Sequence, residues 1–146
     1  MNKNEHYRCL ESMYRAAPIN EYYNPSMQVS EGEARIEIEA SEKMHHSAGG
    51  VHGSVYFKML DDAAYFAANS MELDKFVLTT TFTTYLTRPV STGKLLSVGR
   101  VVNSTKSQFI AESVLYDSHN VEIGRGNGIF VRSKSPLREA MGYGKE

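Results

Sequence analysis

Apolar and polar residues alternate strictly between positions 33 and 40. Ala34, Ile36, Ile38 and Ala40 interleave with Glu33, Arg35, Glu37 and Glu39. Successive side chains of an extended chain point to opposite faces, so this stretch predicts a strand buried on one side and wet on the other. Upstream, Tyr7, Leu10 and Tyr14 recur at i, i+3 and i+7 within residues 4–16. That spacing predicts a short amphipathic helix, ended by Pro18. A loop carrying Tyr22, Tyr23 and Pro25 is expected between the two. Residues 54–71, SVYFKMLDDAAYFAANSM, hold no Gly or Pro and are rich in helix formers, so they predict one long, mostly apolar helix. Four more strands are predicted at 76–86, 94–103, 108–116 and 121–131, divided by turn signals such as Ser91-Thr92-Gly93 and Asp117-Ser118-His119-Asn120. Connections this short favour antiparallel hairpins. From Ser133 onward the chain is polar, and a fraying tail is expected.

The order helix, strand, long helix, four strands predicts an α+β domain in which the helix lies on one face of an antiparallel sheet. Such a sheet cannot cover a helix that is apolar on most sides, so a second copy of the chain is expected to help. A length of 146 residues fits one domain. With 41% hydrophobic and 23% charged residues and a net charge of -1, the chain lacks the basic stripe of a nucleic-acid binder. No apolar run approaches the ~20 residues of a membrane helix, and MNKNEHYRCL has no apolar leader segment. The single cysteine, Cys9, excludes an internal disulfide and a Cys-rich zinc site, so a cytoplasmic location is expected. The spacing of His45, His46 and His52 matches no standard metal site, and no metal is expected. Gly124, Gly126 and Gly128 sit inside a predicted strand, where they mark a bend or close packing rather than a dinucleotide loop.

Chemistry concentrates in the long helix and the loop before it. Asp62 shares a helix face with Lys58, Tyr65 and Asn69, and is expected as a solvated residue paired with Lys58. Asp61 shares its face with Phe57, Ala64 and Ala68. An ionisable group on an apolar stripe is unfavourable unless paired or used, and desolvation there raises a carboxyl pKa toward that of a useful base. Asp61 is therefore a candidate catalytic carboxylate; a buried hydrogen bond to backbone or to a sheet threonine is the alternative. The loop at 46–54, His-Ser-Ala-Gly-Gly-Val-His-Gly-Ser, delivers the chain to the helix N-terminus. Unpaired N–H groups there favour negative charge and suit a developing oxyanion, unless Gly53 or Ser54 does no more than cap the helix.

These residues resemble the PaaI-like thioesterases of the hotdog superfamily. Their central helix opens with N-x-x-G-x-x-H-G-G, and a catalytic Asp follows nine residues after the motif histidine. Here Asp61 lies nine residues after His52, the same aspartate that the helical wheel places on the apolar face. Residues 79–89, TTTFTTYLTRP, are similar to the family strand that ends in Arg-Pro, and Thr79 falls where the family has a hydroxyl near the attacking water. The match spans about residues 27–133. Two positions depart from the pattern: His46 replaces Asn, and Ser54 replaces the second glycine, although its N–H would remain available. His45 or Ser47 are alternatives for the missing Asn.

The resemblance implies an α+β hotdog fold, an antiparallel five- to six-stranded sheet wrapped around one central helix. A single domain would span 1–146, with its core at 27–133, an N-terminal helix within 1–20 and a flexible tail at 134–146. It implies hydrolysis of a small or medium acyl-CoA by Asp61, Gly53, His52, His46 and Thr79. Phe57, Ala64, Ala68, Ser54 and Arg88 would contact substrate. No cofactor is implied, coenzyme A being part of the substrate. Nor is a nucleic-acid or membrane partner. The site would lie between subunits of a homodimer, which could pair again into a dimer of dimers. Competing expectations are a non-hydrolytic acyl-CoA-binding protein, favoured by His46, and an acyl-thioester dehydratase or hydratase. A regulatory ligand-binding domain would need a DNA-binding module, for which the chain has no room.

Overall fold

The computed structural model describes residues 1–144. Helix α1 runs Lys3–Ala16, and its first turn is closed by Asn2, whose Oδ1 accepts from the Glu5 N–H at 2.8 Å. Its predicted stripe, Tyr7, Leu10 and Tyr14, is buried. A single turn, α2 (Asn20–Tyr23), precedes strands β1 (Ser26–Ser30) and β2 (Glu33–Ala40). The long helix α3 spans Gly53–Ser70, and β3 (Lys75–Leu86), β4 (Gly93–Ser104), β5 (Gln108–Tyr116) and β6 (Glu122–Pro136) follow. All neighbours pair antiparallel in one six-stranded sheet ordered β1-β2-β4-β5-β6-β3.

The sheet curls around α3, as the hotdog arrangement requires. Alternation in β2 has the phase read from the sequence, with Ala34, Ile36, Ile38 and Ala40 all buried. Leu60, Met59 and Ala63 of α3 meet Ile36, Leu95, Leu115 and Ile123 of the sheet in one core. Helix and sheet touch most closely at Gly99, where a Cβ would lie 2.2 Å from the Ala63 carbonyl oxygen. The Ser113 hydroxyl donates to the Leu60 carbonyl at 2.7 Å. The β6 glycines mark close packing, since a Cβ on Gly128 would fall 2.5 Å from the Phe82 ring.

Two expectations are corrected. Residues 26–30, expected within a loop, form β1; Met27 and Val29 alternate with Ser26, Gln28 and Ser30, and Gly32, at φ +71°, turns the chain into β2. The expected flexible tail is packed as far as it is described. Strand β6 continues to Pro136, Leu137 is buried, and the Tyr143 hydroxyl bonds Nδ1 of the buried His6 at 2.7 Å. Apolar residues spaced singly along a polar stretch hid this anchoring.

The two sheet edges differ. At β1, side chains of α1 take up the free backbone groups: Arg8 donates to the Val29 carbonyl at 2.9 Å and Glu11 accepts from the Val29 N–H at 2.9 Å. At β3 no other strand of the described residues lies beyond, and Leu78, Tyr85 and Leu86 are exposed along it.

Candidate active site

Asp61 sits two turns into α3, where the helix passes under the start of β3. With Tyr14, Ile19, Tyr65, Phe76 and Thr79 it lines a cavity of about 340 Å³ between α3, β3 and the α1–α2 connection. The Thr79 hydroxyl donates to Asp61 Oδ1 at 3.0 Å. Register between β3 and β6 slips between Thr79 and Thr81, and Thr80 turns its hydroxyl to the Ile129 carbonyl. A bulge of this kind re-aims the neighbouring side chain. Burial raises the Asp61 carboxyl from 3.8 to about 6, aided by the negative charge of Asp62 and opposed by the Thr79 hydrogen bond and by Lys58. Desolvation dominates because most of the wall is hydrocarbon. The threonine bond expected as the alternative is thus present, on a carboxyl that burial raises toward neutrality.

Asp62 is not the solvated residue expected. It accepts from the Tyr14 hydroxyl at 2.6 Å and from the Lys58 ammonium, and the side chains of Lys58 and Asp62 are only 12% and 19% exposed. Lys58 also lies over the rings of Tyr14 and Tyr23, 5.0 and 4.9 Å from their centroids. The polar face of α3 is therefore covered by α1, a tertiary contact that a helical wheel does not contain. This also supplies part of the cover expected from a second copy.

The loop before α3 forms a second site. A turn at Gly49, φ +83°, folds it back so that the His46 N–H meets the Gly50 carbonyl at 2.9 Å. His46 Nδ1 accepts from the Ala48 N–H at 3.1 Å, which leaves its ring hydrogen on Nε2. His46, Gly50, Gly53, Tyr56 and Arg88 line a cavity of about 290 Å³. The Tyr56 hydroxyl donates to the Arg88 carbonyl at 2.7 Å and pins the Arg-Pro segment there. The helix is capped by His52, whose Nδ1 accepts from the Ser54 N–H at 3.0 Å. The Gly53 N–H, first in the helix, has no partner among the described residues.

Other candidates fall outside these cavities. Ser54 has its N–H taken by His52, so the availability expected for it fails. Ala64 and Ala68, expected along the acyl path, are fully buried with Val77, Phe109, Ala111 and Phe130 and let helix and sheet approach. Phe57 is exposed and stands edge-on to Phe82 at 5.7 Å, lining neither cavity. His45 Nε2 donates to the Ser91 carbonyl at 2.7 Å, engaged in holding the loop. Sequence reasoning missed Tyr65 and Asn20 as parts of the Asp61 wall, and both carry a buried oxygen with no partner. Tyr65 lies four residues after Asp61, a spacing that could have placed it beside the carboxylate. No group of His, Cys, Asp and Glu among the described residues is arranged to hold a metal.

Within one chain the two cavities are apart. Gly53 and Asp61 stand eight positions apart in the helix, about 12 Å along the axis.

The six-stranded antiparallel sheet with its long helix packed on it is the hotdog arrangement. The family model of the thioesterase superfamily matches residues 48–123, and the chain belongs to that superfamily. Its fold is that of the PaaI protein from the phenylacetic acid degradation operon of E. coli, with a TM-score of 0.84 at 17% identity over 92% of this chain and 97% of that one. A thioesterase of Haemophilus influenzae is similar at TM-score 0.74 and 13% identity, covering 82% of this chain and 85% of its own. A phenylacetic acid degradation-related protein of Ralstonia eutropha is similar at 0.74 and 14%, covering 82% and 98%. No curated protein matches the chain by sequence.

Proposed function

We propose that the protein is an acyl-CoA thioesterase that works as a homodimer, each site combining Asp61 of one chain with the Gly53 loop of the other. The observation that carries this is Asp61 itself. A carboxyl raised to about 6, held by Thr79 in a mostly apolar cavity, is ionised at neutral pH yet basic enough to take a proton from water. Water oxygen bonds to the thioester carbonyl carbon while its proton passes to Asp61. The carbonyl oxygen, now negative, accepts from the Gly53 N–H and from His46 Nε2–H. Collapse breaks the carbon–sulfur bond, and the departing thiolate takes the proton from Asp61, leaving free acid and CoA.

The bare edge of β3 supports the dimer. Twelve residues of strand with exposed Leu78, Tyr85 and Leu86, beside exposed Phe57, offer a surface for a second β3. Pairing there would bring the carboxylate of one chain toward the loop of the other, which their separation within a chain requires. Arg88, exposed at the rim of the loop cavity, is suited to a CoA phosphate. A free, half-buried Cys9 supports a reducing, cytoplasmic setting.

The test is thiol release from a panel of acyl-CoA substrates of graded length. Turnover that disappears in Asp61→Asn supports the reading. Tight binding of every substrate with no thiol released would replace it with a binding protein.

A further inference from the structure

A thioesterase must seat an acyl group as well as attack it, and the cavity that holds Asp61 has a seat of hydrocarbon. Tyr65, Phe66, Phe76 and Val77 form much of its wall. The other charged and hydroxyl side chains that reach it beside Asp61 and Thr79, namely Tyr14, Lys58 and Asp62, bind one another. The partnerless oxygens of Tyr65 and Asn20 are buried, with no surface open to the cavity. Beyond Asp61 and Thr79, the wall therefore calls for no polar group on a ligand. When ionised, Lys58 against Asp61 and Asp62 leaves one net negative charge, which disfavours an acyl group that ends in a second carboxylate.

Two large apolar side chains of the same cavity stand open to solvent, Ile19 at 60% and Leu78 at 48%. One comes from the α1–α2 connection and the other from β3. Apolar side chains left wet at the rim of an apolar cavity are the part of its wall that a bound hydrocarbon would cover. Ile19 is not on a loose loop. Next to it Asn20 donates to the Tyr14 carbonyl at 2.7 Å, and Tyr22 donates to the Lys43 carbonyl at 2.6 Å. Resting on the hydrolytic reading above, we propose that Ile19 determines acyl-length preference, the substrate being a thioester of an unsubstituted hydrocarbon acid of medium length. Its carbonyl carbon lies by Asp61 and its far end rests between Ile19 and Leu78, whereas an acetyl group stops short of that rim. A volume of about 340 Å³ is near the lower end for small-molecule sites, which suits a medium chain better than a long one. Leu78 also lies on the β3 edge proposed to meet a second chain, so Ile19 carries the test.

The experiment compares acetyl-, butyryl-, hexanoyl-, octanoyl- and decanoyl-CoA as substrates of wild type, Ile19→Ala and Ile19→Asp in the full chain. Since Ile19 is mostly exposed, both variants should fold and melt as wild type does. For octanoyl-CoA we expect kcat/KM to fall about fivefold in Ile19→Ala and about tenfold or more in Ile19→Asp. For acetyl-CoA it should stay within about twofold of wild type, because nothing of that substrate reaches the rim. The loss should sit mainly in KM and should grow with each two carbons added. A merely structural role would lower every substrate alike. A loss equal for acetyl and octanoyl, or no loss in either variant, would overturn the proposal. The two readings fail separately. Wild-type protein that releases no thiol defeats the hydrolase, and calorimetric titration with acetyl-CoA and octanoyl-CoA then decides the role of Ile19. Weaker binding of octanoyl-CoA alone in Ile19→Asp upholds it, and equal binding of both esters to both proteins overturns it.

Discussion

The two cavities along α3 are similar in size, about 340 and 290 Å³, and opposite in character. The one around Asp61 has aromatic and aliphatic walls and a carboxylate whose proton affinity they raise. The one around Gly53 is built from a glycine-rich loop, a helix N–H without a partner among the described residues, and the His46 imidazole. One can accept a proton and the other can receive negative charge, and a thioester needs both at one carbon. On the proposed reading the two cavities are complementary half-sites, each set by a different part of the same helix.

The most severe way to break the comparison is Asp61→Asn. Turnover should fall by about a thousandfold or more, as for loss of a general base, while the fold persists. Stability sharpens the point. The folded carboxyl binds its proton more tightly than the unfolded one, so its contribution is fully present below 3.8 and is lost as pH rises through about 6. Asp61→Asn should therefore melt higher than wild type at pH 8, by about 2–3 kcal/mol, with the gap closing in acid; thermal melts across pH measure it.

Charging the bare edge of β3 comes next. Tyr85→Arg with Leu86→Arg should give monomers by sedimentation and a loss of activity of about a hundredfold or more, since neither half-site would meet its complement. An active monomer would show that one chain suffices.

Gly53→Pro removes the candidate oxyanion donor from the other cavity. Proline is favoured at the first helical position, and His52, at φ -62° and ψ 143°, already has the conformation that a following proline demands. The fold should hold and kcat should fall about a hundredfold. Mixed with Asp61→Asn and allowed to exchange subunits, the two inactive proteins should recover about a quarter of wild-type activity, as random pairing of two-fold dimers gives. No recovery would mean that both halves act within one chain.

Smallest on rate is Asp62→Asn. Neutralising Asp62 removes a charge that raises Asp61 and frees Lys58, which lowers it. The acid limb of kcat/KM should move to lower pH with kcat changed only a few-fold. Stability should drop by about 1–3 kcal/mol as Lys58 loses its acceptor.

Much of this was legible in the chain. The phase of β2, the course of α3 and the burial of Asp61 follow from periodicity, because each depends on a continuous face packed on one core. Thr79 came from resemblance; its hydroxyl points at Asp61 because of a bulge, which strand periodicity does not encode. Spacing alone could have placed Tyr65 beside Asp61, but the cover over Asp62 and Tyr65 could not be read from α3. Their surroundings are made by α1 and β3, distant in sequence, so a wheel drawn for α3 alone exposes what the tertiary fold covers. Strand β1 was too short to stand out beside Tyr22, Tyr23 and Pro25.

The guarded margin at β1 has a consequence for growth. A sheet with two open margins could add subunits without limit and run on as a fibre. Here Arg8 and Glu11 occupy the Val29 backbone on one side, so any association through the other side is used up once two chains have met. Removing both side chains should turn a self-limiting pair into a polymerising one.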